Sequence, residues 1–426
     1  MPLARPWKIT ALALGSAAAL LCAAAAWWLP SNEELALRAA QAATEALGVQ
    51  VTVGALDWHV LPTPRVVVRD VATNQQRPLR LERLTVAPRL LPLLSGRIEL
   101  ASVVLDGATV EQRSLRGLGG GAAKPERQGS APPLELSRVE FRDLTWVSRS
   151  GVPVVYAGEA DFERGLALRT ATLRRPGLTP AADLVVTRET DGAEAGTQRF
   201  TLRVRLAGGH ADGQAQVRTA ADGQLRLQGM LAPRGIEVQA ALAAFNRRSP
   251  LAGQAEGETR FSADGANPLQ LVQRLHTETR FTIRPATALR FDLDRAIATL
   301  GREHQGQTRL DQLRGRVETQ NSPDGTVFRF LDIQASAGKF SASGDARLQD
   351  QRLQARAAVD LVDGVVGLPM TIEGPMGQLK VTVSKAPLVG AAVGTAVLPG
   401  VGTAIGAAIG RVLGGDGPPA AAPRRP

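Results

Sequence analysis

The residues most able to carry chemistry in this chain are its four histidines, and they lie far apart: His59, His210, His276 and His304. None has a carboxylate or a nucleophile at a spacing typical of a catalytic or metal-binding motif. The glycine-rich stretch at 117–121 (GLGGG) is not followed by the Lys-Ser/Thr pair of a phosphate-binding loop. The sequence therefore predicts a protein that is not an enzyme and that uses neither a cofactor nor a metal.

Composition also excludes one class of partner. The net charge is +10, but the arginines are scattered along the chain and aromatic residues make up only 4%. A nucleic-acid surface usually combines a basic patch with aromatic residues for base stacking. We therefore predict no nucleic-acid partner. The one cysteine, Cys22, lies in an apolar run, so the chain can form no internal disulfide.

An uncharged run at residues 9–29 precedes the body of the protein and is predicted to hold it at a membrane. As a helix it would be about 30 Å long, which spans a bilayer core, and tryptophans flank it at both ends. Basic residues precede the run and acidic residues follow it, which predicts a cytoplasmic N-terminus and a body outside. A cleaved signal peptide is the alternative, because small residues at 23–26 would suit a peptidase. The predicted anchor residues are Trp7, Ile9, Leu21, Trp27 and Trp28.

After the anchor, a capping box predicts a helix over 32–47, and apolar residues then alternate with polar ones. This period of two indicates antiparallel strands with one apolar face and one solvent-exposed polar face. ADGQ at 211–214 and again at 221–224, and SGD at 343–345, are interpreted as turns. Two further short helices are predicted at 268–275 and 292–300. The apolar positions assigned to the lining are Phe200, Leu202, Val204, Leu206, Leu225, Leu227, Ile236, Val238, Leu379, Val381 and Val383.

About twenty strands side by side would form a sheet on the order of 90–100 Å long. A bare apolar face of that size would aggregate, so the sheet must close into a barrel, fold into a sandwich or curl into a trough. Sequence pattern alone leaves these three open. The predicted segments are 1–30 (cytoplasmic stub and anchor), 31–116, 117–133 (linker), 134–244, 245–385, 386–414 (apolar hairpin) and 415–426 (disordered tail).

The hairpin is predicted from an uncharged, glycine-rich run that Pro399-Gly400 divides into two halves. Each half is about 18 Å long as a helix, too short to span a bilayer. We expect it to contact a membrane, with capping of the groove end and self-association as alternatives. The residues assigned to this contact are Val389, Val393, Val397, Ile405 and Ile409.

The order of elements resembles the AsmA family of bacterial envelope proteins. The similarity rests on the anchor and short helix, on a strand at 64–71 (PRVVVRDV), on PLLSGRI at 92–98 and on LDGA at 105–108. Toward the C-terminus, NPLQLVQRL and RFDLDRAIATL are similar to the family's small helices, and LPMTIEGPMGQLKVTVS to its closing strands. The resemblance covers about 1–115 and 245–385.

The resemblance implies a single-pass protein of the Gram-negative inner membrane whose body lies in the periplasm. It implies an elongated, twisted antiparallel β-groove with a few short helices and an apolar interior. The expected function is binding of phospholipid acyl chains and transfer of lipid toward the outer membrane, which the hairpin contacts directly or through a partner protein. A scaffold or assembly factor for outer-membrane proteins is the alternative function.

Overall fold

The computed structural model describes residues 32–59, 63–93, 95, 97–117, 134–190, 196–322, 325–338, 340–361 and 368–383. Of these, 64% lie in strands and 13% in helices, which confirms the prediction of a mainly β, antiparallel protein. The predicted anchor, nearly all of the 117–133 linker and the C-terminal hairpin with its assigned residues lie outside the described residues.

The described residues form two compact units. Unit 1 takes 32–249 together with 254–279 and 319–326, and unit 2 takes 250–253, 280–318 and 327–383. The helices are α1 (Asn32–Leu47), α2 (Leu90–Leu93), α3 (Val238–Ala243), α4 (Pro268–Gln273) and α5 (Leu293–Ala298), with 3₁₀ turns η1 (Ser114–Gly117) and η2 (Arg164–Leu166).

The first thirteen strands are β1 (Val51–His59), β2 (Arg65–Thr73), β3 (Arg80–Pro88), β4 (Ile98–Glu111), β5 (Leu134–Leu136), β6 (Arg138–Val147), β7 (Pro153–Glu163), β8 (Ala167–Arg175), β9 (Ala182–Arg188), β10 (Thr197–Leu206), β11 (Gly209–Thr219), β12 (Leu225–Arg234) and β13 (Ile236–Glu237). The others are β14 (Leu251–Gly265), β15 (His276–Ala288), β16 (Thr308–Leu310), β17 (Gln312–Ser322), β18 (Gly325–Ala337), β19 (Phe340–Gln349), β20 (Arg352–Leu361), β21 (Leu368–Pro375) and β22 (Lys380–Val383).

In unit 1 the strands pair in the order β1-β2-β3-β4-β6-β7-β8-β9-β10-β11-β12-β14. All of these pairs are antiparallel except β4–β6, which is parallel. The short strand β5 also runs parallel to the start of β4. Parallel neighbours cannot be joined by a tight turn, so the long connection after β4 falls at this junction. The sheet of unit 1 thus consists of two antiparallel meanders joined side by side.

In unit 2, β18 to β22 form an antiparallel meander in chain order, and β15 pairs with β16. Helix α5 begins where the Asp292 side chain accepts a hydrogen bond from the Arg295 amide at 2.9 Å. The predicted helices at 32–47, 268–275 and 292–300 are therefore all present, the last two shorter by up to two residues at each end.

Several local predictions were wrong. ADGQ at 211–214 and SGD at 343–345 lie inside β11 and β19, whereas the second ADGQ, at 221–224, does form the turn before β12. The reversal before β11 is made by Ala207 and Gly208, both with positive φ, as a two-residue hairpin requires. Leu379 precedes β22 and lies outside it.

Val238, predicted to continue a strand from Ile236, is instead the first residue of α3. The cause is Glu237, whose carboxylate accepts hydrogen bonds from the amides of Gln239 at 3.1 Å and Ala240 at 2.6 Å. An acceptor in this position satisfies the free N–H groups of the first helical turn, so the chain turns helical after only two strand residues.

Candidate binding face

Two rows of apolar residues run across the sheet of unit 1, each made of direct cross-strand partners. The first row is Leu56, Val68, Leu84, Leu105, Phe141, Gly158, Leu173, Leu184, Val204, Ala211 and Pro233, from β1 to β12. The second row, two residues away along the strands, is Trp58, Val66, Val86, Val103, Val139, Ala160, Ala171, Val186, Leu202, Gly213, Leu231 and Thr259. Cross-strand partners share one face of a sheet, so both rows lie on the same face.

The positions between the two rows point to the other face, and many of them are charged. There Glu140 accepts a hydrogen bond from Arg142 at 2.8 Å, and Arg138 forms an ion pair with Glu159. The Arg142 contact holds the pKa of Glu140 below its usual value. This explains why arginines recur at every second residue: they lie on the solvated side of an amphipathic sheet.

The apolar face is covered at both ends of the strand order. At β1–β4, the α1 residues Leu35, Ala36 and Ala39 join a buried cluster with Val66 and Val86, which are 2% and 0% exposed. At β10–β14, Leu271 of α4 joins a second cluster. Its other buried members are Phe200, Leu202, Ala215, Val217, Leu225 and Ala263.

Residues 237–247, which we call the α3 strap, run along one end of the strands from β12 back to β7. The Ala244 carbonyl accepts a hydrogen bond from Arg175 Nε of β8 at 2.7 Å, and Asn246 Nδ2 donates to the Pro153 carbonyl of β7 at 2.6 Å. Arg247 then donates to Ser148 Oγ at 3.0 Å. The strap therefore spans the strand ends and bounds the apolar face on that side.

Between the two helix-covered ends, the apolar rows of β6–β9 are only partly buried. We call this region the window; its residues are Val139, Phe141, Ala160, Ala171, Leu173, Leu184 and Val186. Leu173 is 37% exposed, and its row partner Gly158 lies under the Phe141 ring. A Cβ on Gly158 would stand 2.4 Å from the Thr172 carbonyl oxygen and 2.5 Å from that ring, so the close approach of both groups requires glycine here. The window is a continuous apolar surface that is partly open to solvent, and its edge residues Val139 and Val186 pack against the two clusters.

The predicted lining residues fall in several places. Phe200, Leu202 and Leu225 are on the apolar face but buried in the cluster with α4, while Leu227 packs against that cluster. Val204 and Leu206 are half-buried, Val238 belongs to the α3 strap, and Ile236 directly precedes the strap in β13. Val381 and Val383 are 6% exposed and lie in unit 2, on a face that pairs Val381 with Ile372 and Val383 with Met370.

The window residues were not among the predicted lining. Alternation in RVEF at 138–141, ALRTATL at 167–173 and ADLVV at 182–186 was the available signal. To choose the open strands among all those that alternate, one must know which strands a helix covers. Helix packing is set by tertiary contacts, so the residue pattern within a single strand does not reveal it.

Charged groups lie beside the window on the other face. A recess of about 510 Å³ is lined there by Arg142, Arg174 and Asp183 among others. Asp183 accepts hydrogen bonds from Arg205 Nε at 3.0 Å and Nη2 at 2.5 Å. Ionic walls do not suit an acyl chain, so the volume of this recess does not make it the binding face.

Tyr156 of β7 lies beside Arg175, whose guanidinium is 5.8 Å from the centre of the phenol ring. Burial raises the pKa of Tyr156, while the Arg175 charge acts in the opposite direction. In the described ranges no three His, Cys, Asp or Glu side chains come together as a metal site. None of the helices described combines the length and hydropathy needed to cross a bilayer.

No family model, curated protein or solved structure matches this chain.

Proposed function

We propose that this protein is an AsmA-like protein of the bacterial inner membrane that binds phospholipid acyl chains on the apolar face of its sheet and helps transfer lipid toward the outer membrane. In this proposal residues 9–29 anchor the chain and the body lies in the periplasm. The sheet curls into a groove with the two apolar rows as its floor. The protein acts as a carrier surface and performs no chemistry on the lipid.

The observation that carries the proposal is the continuity of the two apolar rows. They cross eleven and twelve strands without a charged residue, and over β6–β9 none of their side chains is buried under a helix and Leu173 is exposed. Each methylene that leaves water gains about 0.8 kcal/mol, so a chain of about sixteen carbons gains on the order of 12 kcal/mol. A surface that covers part of such a chain removes much of the barrier to its passage through water.

The enclosure of the face supports a groove. Its ends in strand order are covered by α1 and α4, and the strap bounds the strand ends on one side. On the opposite side, Leu166 of η2 is 3% exposed and belongs to the cluster beneath α1. An acyl chain on the window would therefore be bounded on several sides, while its head group stays in water.

The test is photo-crosslinking in living cells with a photoreactive amino acid at position 173 and, in a separate strain, at position 174. Leu173 lies in the first apolar row and Arg174 is the next residue of the same strand, on the opposite face. We expect a phosphate-labelled lipid adduct at 173 and none at 174.

Protein adducts at 173 without lipid, from a folded chain, would replace the proposal with the scaffold function. Equal lipid labelling at both positions would show that lipid contact is nonspecific and would also overturn it. The adjacent pair removes differences in expression and membrane location, because only the face of the sheet changes.

A further inference from the structure

Two neighbouring leucines stand out from the surface at one end of the sheet of unit 1. Leu91 is 81% exposed and Leu90 is 40% exposed, and both belong to the four-residue helix α2 between β3 and β4. A single exposed leucine is ordinary, but two adjacent ones on a short projecting helix form a compact apolar tip.

Arginines flank this tip. Arg89 and Arg97 flank α2 and are exposed, and Arg65 is exposed at the start of β2, in the neighbouring connection. The Arg89 guanidinium is 3.4 Å from Glu99, while Arg97 Nε donates to the Ser95 hydroxyl at 3.2 Å. Apolar side chains that enter the interface, ringed by arginines that meet phosphates, are the chemistry of contact with an anionic bilayer.

The tip also lies at the correct end of unit 1 for a membrane contact. Trp58 pairs with Val66 and Val66 with Val86, so the connections after β1 and after β3 share one end of the sheet. Helix α1 ends at the other end of β1, where Thr44 Oγ1 accepts a hydrogen bond from the Val51 amide at 2.9 Å.

From that point, α1 leads back toward the tip. It is about 24 Å long and packs along the sheet, and β1 is about 30 Å long. Leu35, near the start of α1, is in the same buried cluster as Ile98, the first residue of β4 after α2. The first residue of α1, Asn32, therefore lies on the side of the tip.

We infer that the α2 tip, formed by Leu90 and Leu91 with Arg89 and Arg97, is a second membrane contact that seats the β1–β4 end of unit 1 on an anionic bilayer. This inference rests on the proposed function, because it requires the chain to be held at a membrane. A single tether does not fix the orientation of the sheet, whereas a tether and a contact together fix which end faces the bilayer.

The test uses the full chain with Cys22→Ala, reconstituted in nanodiscs of phosphatidylglycerol and phosphatidylcholine. An NBD fluorophore is placed on a single cysteine, Leu91→Cys or, as the control, Gln76→Cys. Gln76 is exposed in the connection after β2, at the opposite end of the same strands. Phospholipids with a spin label near the head group quench fluorophores that reach the interface.

We expect a several-fold loss of fluorescence at position 91, little loss at 76, and a weaker effect at 91 in pure phosphatidylcholine. A second pair carries the fluorophore at Ser95→Cys with and without Leu91→Asp. Because Leu91 is 81% exposed, the aspartate leaves the fold intact and should move the fluorophore out of the interface.

A chain that enters nanodiscs but keeps its position-91 fluorophore in water overturns the inference and leaves the proposed function standing. Quenching at 95 that Leu91→Asp does not change would also overturn it, because the leucines would then not make the contact. A full chain that does not enter the bilayer at all contradicts the membrane anchoring of the proposed function itself, and with it this inference. Lipid crosslinking at 173 is a separate readout of the groove.

Discussion

Replacing Leu173 with aspartate should weaken lipid binding about 100-fold without unfolding the protein. Leu173 is 37% exposed, so about 60% of the burial free energy of a leucine, or about 1–2 kcal/mol, is lost from stability. Domains of this kind are stable by about 5–15 kcal/mol, so the chain should stay folded. An acyl chain on the window would strip water from the new carboxylate, at a cost of about 3 kcal/mol. That cost corresponds to about 100-fold weaker binding.

The assay is a titration of the purified full chain with NBD-labelled phospholipid, together with mass spectrometry of the lipid that co-purifies. The matched control is Thr187→Asp, which adds the same charge to an exposed position on the opposite face of the adjacent strand β9. We expect unchanged lipid binding in that variant. If folded Leu173→Asp binds lipid as tightly as the original chain, or if both variants lose it equally, the window is not the binding face.

Three further predictions concern stability and protonation. Leu225→Ala removes a side chain that is 0% exposed and should lower the free energy of unfolding by about 2–5 kcal/mol in denaturant titrations, while Met230→Ala on the same strand, 51% exposed, should change it little. Glu237→Ala should cost about 1 kcal/mol by removing the N-cap of α3, which amide exchange would detect as faster exchange in the strap with β12 still protected. Tyr156 is the only tyrosine, so its absorbance at 295 nm should titrate at higher pH in the folded chain than in urea. Because the raised pKa favours the protonated folded state, stability should fall as the pH rises above about 10. Coincident titration curves would contradict the burial of that phenol.

Elements with a strong local signal were predicted correctly from the sequence. Helix α1 has its capping box and a glycine stop, and β10 alternates apolar and polar residues over its length. The two copies of ADGQ show the limit of this reasoning. At 221–224 the segment forms a turn, with Gly223 at φ 82°, but at 211–214 the preceding Ala207-Gly208 pair has already reversed the chain. Ala211 and Gly213 then continue as strand residues on the apolar face.

The sequence predicted that the protein has an apolar sheet face, but it did not predict which strands leave that face uncovered by a helix. Alternation identified an apolar face, and Phe200, Leu202 and Leu225 do belong to it. Whether such residues bind a ligand or a helix depends on where α1 and α4 pack, which is set by contacts between segments distant in sequence. The strand prediction at Val238 was wrong for a different reason. The Glu237 carboxylate caps a helix that begins at Val238, and this local interaction outweighed a strand pattern of only a few residues.

The strands β6–β9 that carry the window are an antiparallel meander, in which each strand pairs with the next one along the chain. Duplication of one hairpin in this meander would insert two strands and lengthen the uncovered face by about 9–10 Å, without disturbing the helices at either end. If this face carries lipid as proposed, the number of strands between the helix-covered ends sets the length of the carrier surface, and that length changes in steps of one hairpin.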